Sequence, residues 1–406
     1  MRARKILLPV LLLGAALLSR GASAQTPVHP AQFIVPPNSQ SRFLESIAMD
    51  GSGKATFLWT VVNNAPTGLR EEVYLRQFSS ADGALGPAVR LESLSYSANA
   101  GTVVANQRGD VLVTWSRSPS LGTGPAEYFL RRTSPVLPTL KLPLSGADDV
   151  AVDRNGNFIV VWTVSPPGGH RIHGQRYNFD GTPRGPEFDA ADSRTGDHVS
   201  PSVAMNPNTG EFVIVWELRD TDGSGLGVLG QRFGFTTGRK GSNFEIYFPA
   251  VIDRPSLIQP FGAQVARAAN GSFVVIWRNP GTDGFGVDIL GRRYRNTGAP
   301  VGGLLVIAEN ESIPDSRPQI AMAPNGEFVV TWDDQGTSPQ WFRQFNANGT
   351  PAGPVISQPG LGGAPYYGTG RVAFGWNGTF VYGWTNYNDE GPHGNTISYQ
   401  RFTAAP

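Results

Sequence analysis

A strand-like apolar run that ends in tryptophan recurs seven times along the chain, and a repeat of that kind leaves few folds open. The runs are Phe57-Leu58-Trp59, Val111 to Trp115, Phe158 to Trp162, Phe212 to Trp216, Phe273 to Trp277, Phe328 to Trp332 and Phe380 to Trp384. Successive tryptophans lie 56, 47, 54, 61, 55 and 52 residues apart. That period fits one four-stranded sheet per unit, repeated around an axis.

The fourth unit shows the grammar of one repeat. Val199 to Met205 reads as a short strand, Asn206 to Gly210 as a turn, Phe212 to Glu217 as an apolar strand, and Arg219 to Gly227 as a polar loop. Val228 to Phe233 reads as a third strand, Gly238 and Gly241 as a turn, and Asn243 to Phe248 as a fourth strand. Short strands joined by Asn-Gly and Asp-Gly turns are a strong hairpin signal. The second strand is apolar at almost every position, so both of its faces must be covered. Sheets stacked face to face around an axis cover them.

The third strand alternates and ends in Gln or Arg twice, then an aromatic: Arg76-Gln77-Phe78, Gln175-Arg176-Tyr177, Gln231-Arg232-Phe233, Arg292-Arg293-Tyr294, Arg343-Gln344-Phe345 and Gln400-Arg401-Phe402. Arg132, Arg176, Arg232, Arg293 and Arg401 fall at equivalent positions. A site is rarely copied into five units, so these arginines are expected to bridge neighbouring blades, and the seven tryptophans to fill the contacts between them.

The chain ends define the closure. After Gln400-Arg401-Phe402 only four residues remain, so the last unit lacks its fourth strand, whereas Gln32 to Val35 reads as a fourth strand with nothing before it. Pairing the two closes the ring and removes the free edges of an open array. The expected fold is therefore all-β, a seven-bladed β-propeller of four-stranded blades, in a single domain over residues 25–406.

Residues 1–24 stand apart. Arg2, Arg4 and Lys5 precede the apolar stretch Ile6 to Leu18, and Ala22-Ser23-Ala24 offers a cleavage site, which together read as a signal peptide. Cleavage near Ala24 predicts a soluble, secreted or periplasmic protein without a membrane span. It leaves 29 basic residues against 32 acidic ones, a net charge of −3. No nucleic acid is expected as a partner on that balance. Zero cysteines exclude disulfides, thiolate metal sites and a cysteine nucleophile.

The pattern Ala-x-(Asp/Asn)-x-x-Gly-x-Phe-Val-Val-x-Trp, followed by Asp-Gly, Gln-Arg-Phe/Tyr and a Gly-spaced turn, resembles a repeat of exported bacterial propeller proteins that mostly lack an assigned activity. The resemblance covers nearly all of the chain after Ala24. It implies fold and export and carries no catalytic residue.

Strand order places the short turns of each unit on one face and the long, variable loops on the other, where binding residues concentrate. Tyr366, Tyr367, Tyr387, Asp389 and His393 are the candidate ligand-binding residues there, with Trp341 as a further aromatic for sugar stacking. Asp220 and Asp222 open an Asp-Thr-Asp-Gly loop that could hold calcium, the one cofactor considered. His170 and His173 have an i,i+3 spacing that a strand would turn to opposite faces. His198 falls on the loop face without an evident serine or carboxylate partner. Glu45, Glu217, Asp389 and Glu390 are available carboxylates, but no catalytic set can be assembled from sequence, so enzymatic activity stays undecided, with a non-enzyme preferred. Asn270, Asn310, Asn348 and Asn377 match glycosylation sequons, three of them within Asn-Gly turns.

Three readings follow. The first is an exported, non-catalytic binding or scaffold propeller, for which a monomer suffices, that engages a glycan, peptide or protein through its loop face. The second is a carbohydrate-active hydrolase or lyase with a cleft at the axial mouth. The third is a calcium-stabilised structural protein. The side chains around the axial opening discriminate among them.

Overall fold

A computed structural model describes residues 27–28, 30–35, 40–65, 68–78, 84–92, 96–119, 125–191, 196–219, 226–248, 261–280, 287–311, 318–332, 340–358, 366–367, 370–387 and 395–403. The strands form seven antiparallel sheets arranged as the blades of a propeller. From the axis outward, blade 1 comprises Ser41–Met49, Ala55–Ala65, Gly68–Phe78 and Val89–Arg90; blade 2, Tyr96–Ala105, Val111–Pro119, Glu127–Ser134 and Leu140–Leu142. Blade 3 comprises Asp149–Val152, Phe158–Val164, Arg171–Tyr177 and Phe188–Asp189; blade 4, Asp197–Met205, Phe212–Arg219, Leu226–Gly234 and Gly238–Tyr247. Blade 5 comprises Phe261–Arg267, Phe273–Pro280, Val287–Tyr294 and Pro300–Glu311; blade 6, Gln319–Met322, Phe328–Trp332, Gln340–Phe345 and Ile356–Gln358. Blade 7 takes Arg371–Phe374, Thr379–Tyr387 and Thr396–Thr403 from the end of the chain and Gln32–Val35 from its beginning.

The closure joins the expected segments, Gln32–Val35 and Thr396–Thr403. Gln32 pairs with Tyr399, Phe33 with Ser398 and Val35 with Ile397. Ile34 is fully buried among Leu44, Ile47, Trp59 and Tyr399, so the N-terminal strand belongs to the core between blades 7 and 1.

Each junction between neighbouring blades holds its own apolar cluster, and alternation along the second strand serves two of them at once. Trp216 faces blade 3, with Ile159 and Ile172, whereas Val215 faces blade 5, with Val265 and Val275. All seven repeat tryptophans are at most 2% exposed. The aromatic that ends the third strand stacks on the phenylalanine that begins the second: Phe158 on Tyr177, Phe212 on Phe233, Phe273 on Tyr294, Phe328 on Phe345 and Phe380 on Phe402, with ring centroids 4.8–5.0 Å apart. Each stack adds about 0.5–1.5 kcal/mol beyond its area burial.

The recurrent Arg residues tie blades together in both directions, while Gln175 and Gln231 donate to carbonyls of their own blades. Arg132 donates to the Gly156 carbonyl at 2.7 Å, Arg176 to Phe235 at 3.0 Å, Arg232 to Asn296 at 3.0 Å and Arg293 to Ala347 at 3.4 Å, each on the following blade. Arg292 reaches back to the Ile246 carbonyl at 3.2 Å and Arg343 to that of Ile307 at 3.4 Å. Arg401 lies 5.9 Å from the centre of the Phe78 ring of blade 1. These side chains belong to the scaffold.

One expected turn is displaced. Gly238 and Gly241 lie within the outer strand of blade 4, which begins at Gly238, and the reversal falls at residues 235–237 instead. Both glycines have left-handed φ, 75° and 73°; Gly238 closes the reversal by pairing with Gly234, whereas Gly241 falls at a register shift and serves a bulge.

Two changes test the closure. Deleting Gln25 to Pro37 should lower the melting temperature of the whole ring in a single transition, where an open array would lose only an end. Ile34→Ala should cost about 2–5 kcal/mol in denaturant unfolding.

Candidate functional site

The innermost strands face the axis with one edge free of sheet pairing, and their amide and carbonyl groups must find partners elsewhere. Side chains of adjacent blades supply them. The residue after the repeat tryptophan accepts from the next inner strand: Thr60 from the Ala100 amide at 3.3 Å, Glu217 from Gly262 at 2.8 Å, and Thr385 from Leu44 at 2.9 Å. A second set comes from the inner strands themselves. Ser46 accepts from the Val103 amide at 3.1 Å, Asp149 from Val203 at 2.9 Å, and Ser202 from Val265 at 3.4 Å.

Ser46, Asp149 and Ser202 belong to a column with one member per blade: Ser46, Thr102, Asp149, Ser202, Gln264, Gln319 and Arg371. Each immediately precedes an aliphatic residue, Ile47, Val103, Val150, Val203, Val265, Ile320 or Val372. Together with Glu45 and Asp148 the column lines an axial recess of about 360 Å³. The recess is thus built from all seven blades and is dominated by amide, hydroxyl and carboxyl groups.

Its charged members are unevenly balanced, three acids against one arginine. Asp149 also accepts from the Ser202 hydroxyl at 3.2 Å and from its neighbour's amide, that of Val150, at 2.8 Å. Burial nevertheless dominates and pushes its carboxyl up to about 6. Asp148 takes the amide and the hydroxyl of Thr163 at 2.8 and 2.9 Å. Desolvation raises its pKa too, against those two bonds. Glu45 is raised by desolvation, which outweighs Arg371 and a hydrogen bond from Thr60. The Arg371 guanidinium donates to the Glu45 main-chain carbonyl.

The sequence-derived candidates fare unequally. Tyr366–Tyr367 forms a short strand on blade 7 in which Tyr366 pairs with Tyr387 and Tyr367 with Asn386, so three of the five loop-face candidates share one stretch of backbone. Asp389 and His393 lie outside the described residues, as do Asp220 and Asp222. His198 is not an open loop residue: it is completely buried in the inner strand of blade 4, and its Nδ1 accepts the Trp216 indole N–H at 2.7 Å. Glu217 is not an available carboxylate, because it is 3% exposed and holds both the Gly262 amide and, at 2.8 Å, Arg219. Trp341 is half-buried against the core between blades 5 and 6. His170 and His173 have separate carboxylate partners, Asp197 and Glu187, and among the described residues no group of three metal-ligating side chains occurs. Asn270, Asn348 and Asn377 accept from Ser272, Thr350 and Thr379 within their own turns.

Asp148, Asp149, Gln264, Gln319 and Arg371 were not singled out by sequence reasoning. Counting back from the tryptophans carries the signal: 13 residues before Trp59, Trp115, Trp162, Trp277, Trp332 and Trp384, and 14 before Trp216, one inner-strand position is polar in every blade and precedes an aliphatic residue.

No protein-family model matches the chain, and no curated protein matches it. Solved structures share the fold. A protein of unknown function from Dyadobacter fermentans has 12% identity and a TM-score of 0.54, covering 94% of this chain and 100% of its own. The polysaccharide lyase Uly1 has 10% identity and a TM-score of 0.56, covering 86% and 88%. An ulvan lyase solved with bound -[GlcA(1-4)Rha3S]- has 10% identity and a TM-score of 0.54, covering 89% and 94%. At such identities the likeness defines the class, a seven-bladed β-propeller, and transfers no residue. Among the described residues no helix is long and apolar enough to cross a membrane.

The raised Asp149 pKa gives a pH test. A carboxyl that ionises near 6 when folded and near 3.8 when unfolded binds its proton more tightly in the native state. Its contribution to stability is full below the unfolded value and is lost as pH rises through about 6. The melting temperature of the wild type minus that of Asp149→Asn should therefore fall between pH 4 and pH 7. A difference that stays flat across that window would show that Asp149 is not the titrating group.

Proposed function

We propose that the protein is a non-catalytic binding propeller that takes an uncharged glycan at its axial mouth. The observation that carries this reading is the polar column, which brings hydroxyl, amide and carboxyl groups from six blades and the Arg371 guanidinium from the seventh to one recess of about 360 Å³. Such groups match the alternating donors and acceptors of sugar hydroxyls, and the volume lies at the lower end of small-molecule sites.

Charge narrows the ligand. Glu45, Asp148 and Asp149 face a single Arg371, so a uronate or sulfated sugar would meet excess negative charge. The glycan that suits this mouth is therefore neutral, unlike the glucuronate and sulfated rhamnose bound to the ulvan lyase. Binding is preferred over bond cleavage because the carboxylates already hold hydrogen-bond partners, Asp149 across to the next blade and Asp148 and Glu45 within their own. Asp149 holds two amides and a hydroxyl, Asp148 an amide and a hydroxyl, and Glu45 a hydroxyl. A general acid or nucleophile would have to surrender such bonds during turnover.

Gln264 and Gln319 suit a test, because their removal leaves the inter-blade hydrogen bonds of Ser46, Asp149 and Ser202 intact. Screening neutral and uronate-containing oligosaccharides by array, then titration calorimetry, should return neutral ligands only. The double variant Gln264→Ala, Gln319→Ala should weaken that binding roughly tenfold at unchanged melting temperature, since each lost hydrogen bond is worth about 0.5–1.5 kcal/mol. Release of reducing ends or unsaturated products from any of these sugars would instead favour the enzymatic reading.

A further inference from the structure

Most blades end in a very short outer strand: Val89–Arg90, Leu140–Leu142, Phe188–Asp189, Ile356–Gln358 and Gln32–Val35 span two to four residues each. Short edges limit pairing with other chains. Blade 4 has a longer one, Gly238–Tyr247, but Arg239, Lys240 and Glu245 guard it and bulges interrupt it. Blade 5 is bulged against its partner strand as well, but its edge is longer and lacks such guarding charges over most of its length.

Its outer strand, Pro300–Glu311, runs for 12 residues, about 40 Å at the usual rise. It pairs with Val287–Tyr294 on one side and, among the described residues, with no strand on the other. From Pro300 to Ala308 it carries no charged residue. Leu305 and Ile307 pack into the core between blades 5 and 6. Leu304 and Val306, on the opposite face, are 45% and 46% exposed. A long, uncharged edge with outward apolar side chains invites strand addition.

We propose that this edge pairs antiparallel with the same edge of a second copy of the chain, forming a twofold dimer. The pattern of the strand selects that occupant. With the axis at Leu305, Leu304 lies opposite Val306 of the copy and Val306 opposite its Leu304, so the two exposed residues cover each other in both directions. Register shifts over residues 302–304 and at Ile307 confine the regular pairing to the uncharged centre of the strand, and the first acid, Glu309, lies outside it. A patch that is its own complement under twofold rotation is what an isologous interface requires. The two continued blades become one sheet across the dimer, with both axial mouths left open.

Sedimentation equilibrium of the purified chain over a concentration series tests this. The wild type should reach twice the mass of the chain. Leu304→Lys and Val306→Lys should each abolish the dimer at an unchanged melting temperature, because both side chains are exposed and a lysine opposite the copy's edge is unpaired. Val89→Lys and Val355→Lys, at exposed apolar positions on other blades, should leave it intact. A wild type that stays monomeric throughout the series overturns the proposal. So does a dimer that survives Leu304→Lys, which would place the interface elsewhere, and so does an edge that captures unrelated β-strand peptides as readily as a second copy.

Discussion

Everything in this ring depends on covering both faces of the second strand in each blade. A strand such as Phe212–Arg219 cannot bury itself within one four-stranded sheet, since half of its side chains point away from any core that the sheet alone could form. Each blade therefore completes its neighbours, and stacking stops only when the last blade meets the first. Stability is consequently not stored in any one blade. The N-terminal strand matters for the same reason: Ile34 and Tyr399 complete a junction whose other side is formed by Leu44, Ile47 and Phe57.

The same geometry leaves one edge unpaired at the axis, where seven inner strands converge too steeply to hydrogen-bond as a sheet. Unpaired buried amides are costly, about 1–3 kcal/mol each. Thr60, Glu217 and Thr385 meet part of that demand from the second strands, and Ser46, Asp149 and Ser202 from the inner strands. The polar lining of the axial recess therefore has a structural origin before it has a functional one. What distinguishes the lining is where it departs from need: Gln264 and Gln319 place longer groups where serine or threonine suffices in other blades, whereas Arg371 holds the Glu45 carbonyl of the next blade.

Sequence alone made the architecture legible to a fine grain, because the fold is set by local, repeated patterns. Trp59 to Trp384, the terminal aromatic of the third strand and the orphan strand at Gln32 to Val35 all act within about 60 residues of their repeat neighbours or at the chain ends. The site was illegible for the opposite reason. Asp149 and Ser202 are 53 residues apart and touch through the stacking of blades, and Glu45 meets Arg371 from the far end of the chain. His198 and Glu217 were misread because a polar residue near a loop resembles a free one until its partner, Trp216 or Gly262, is placed beside it. The loop-face candidates were half legible: the backbone of Tyr366 pairs with that of Tyr387 although 21 residues separate them.

Shared architecture says little about chemistry here, and the reason is physical. The features that make this chain superimpose on polysaccharide lyases and on a protein of unknown function are the stacked second strands and their aromatic contacts, which any propeller needs. Activity would have to come from side chains that the ring does not require. At the axis, one of the three acidic groups is required by the ring, since Asp149 cannot release Val203 without orphaning an amide of the next blade. A group bound that way can orient a ligand through its remaining lone pairs while staying fixed. Catalysis asks for a carboxyl that changes protonation and partner within one turnover, which for Asp149 would mean breaking a link between blades.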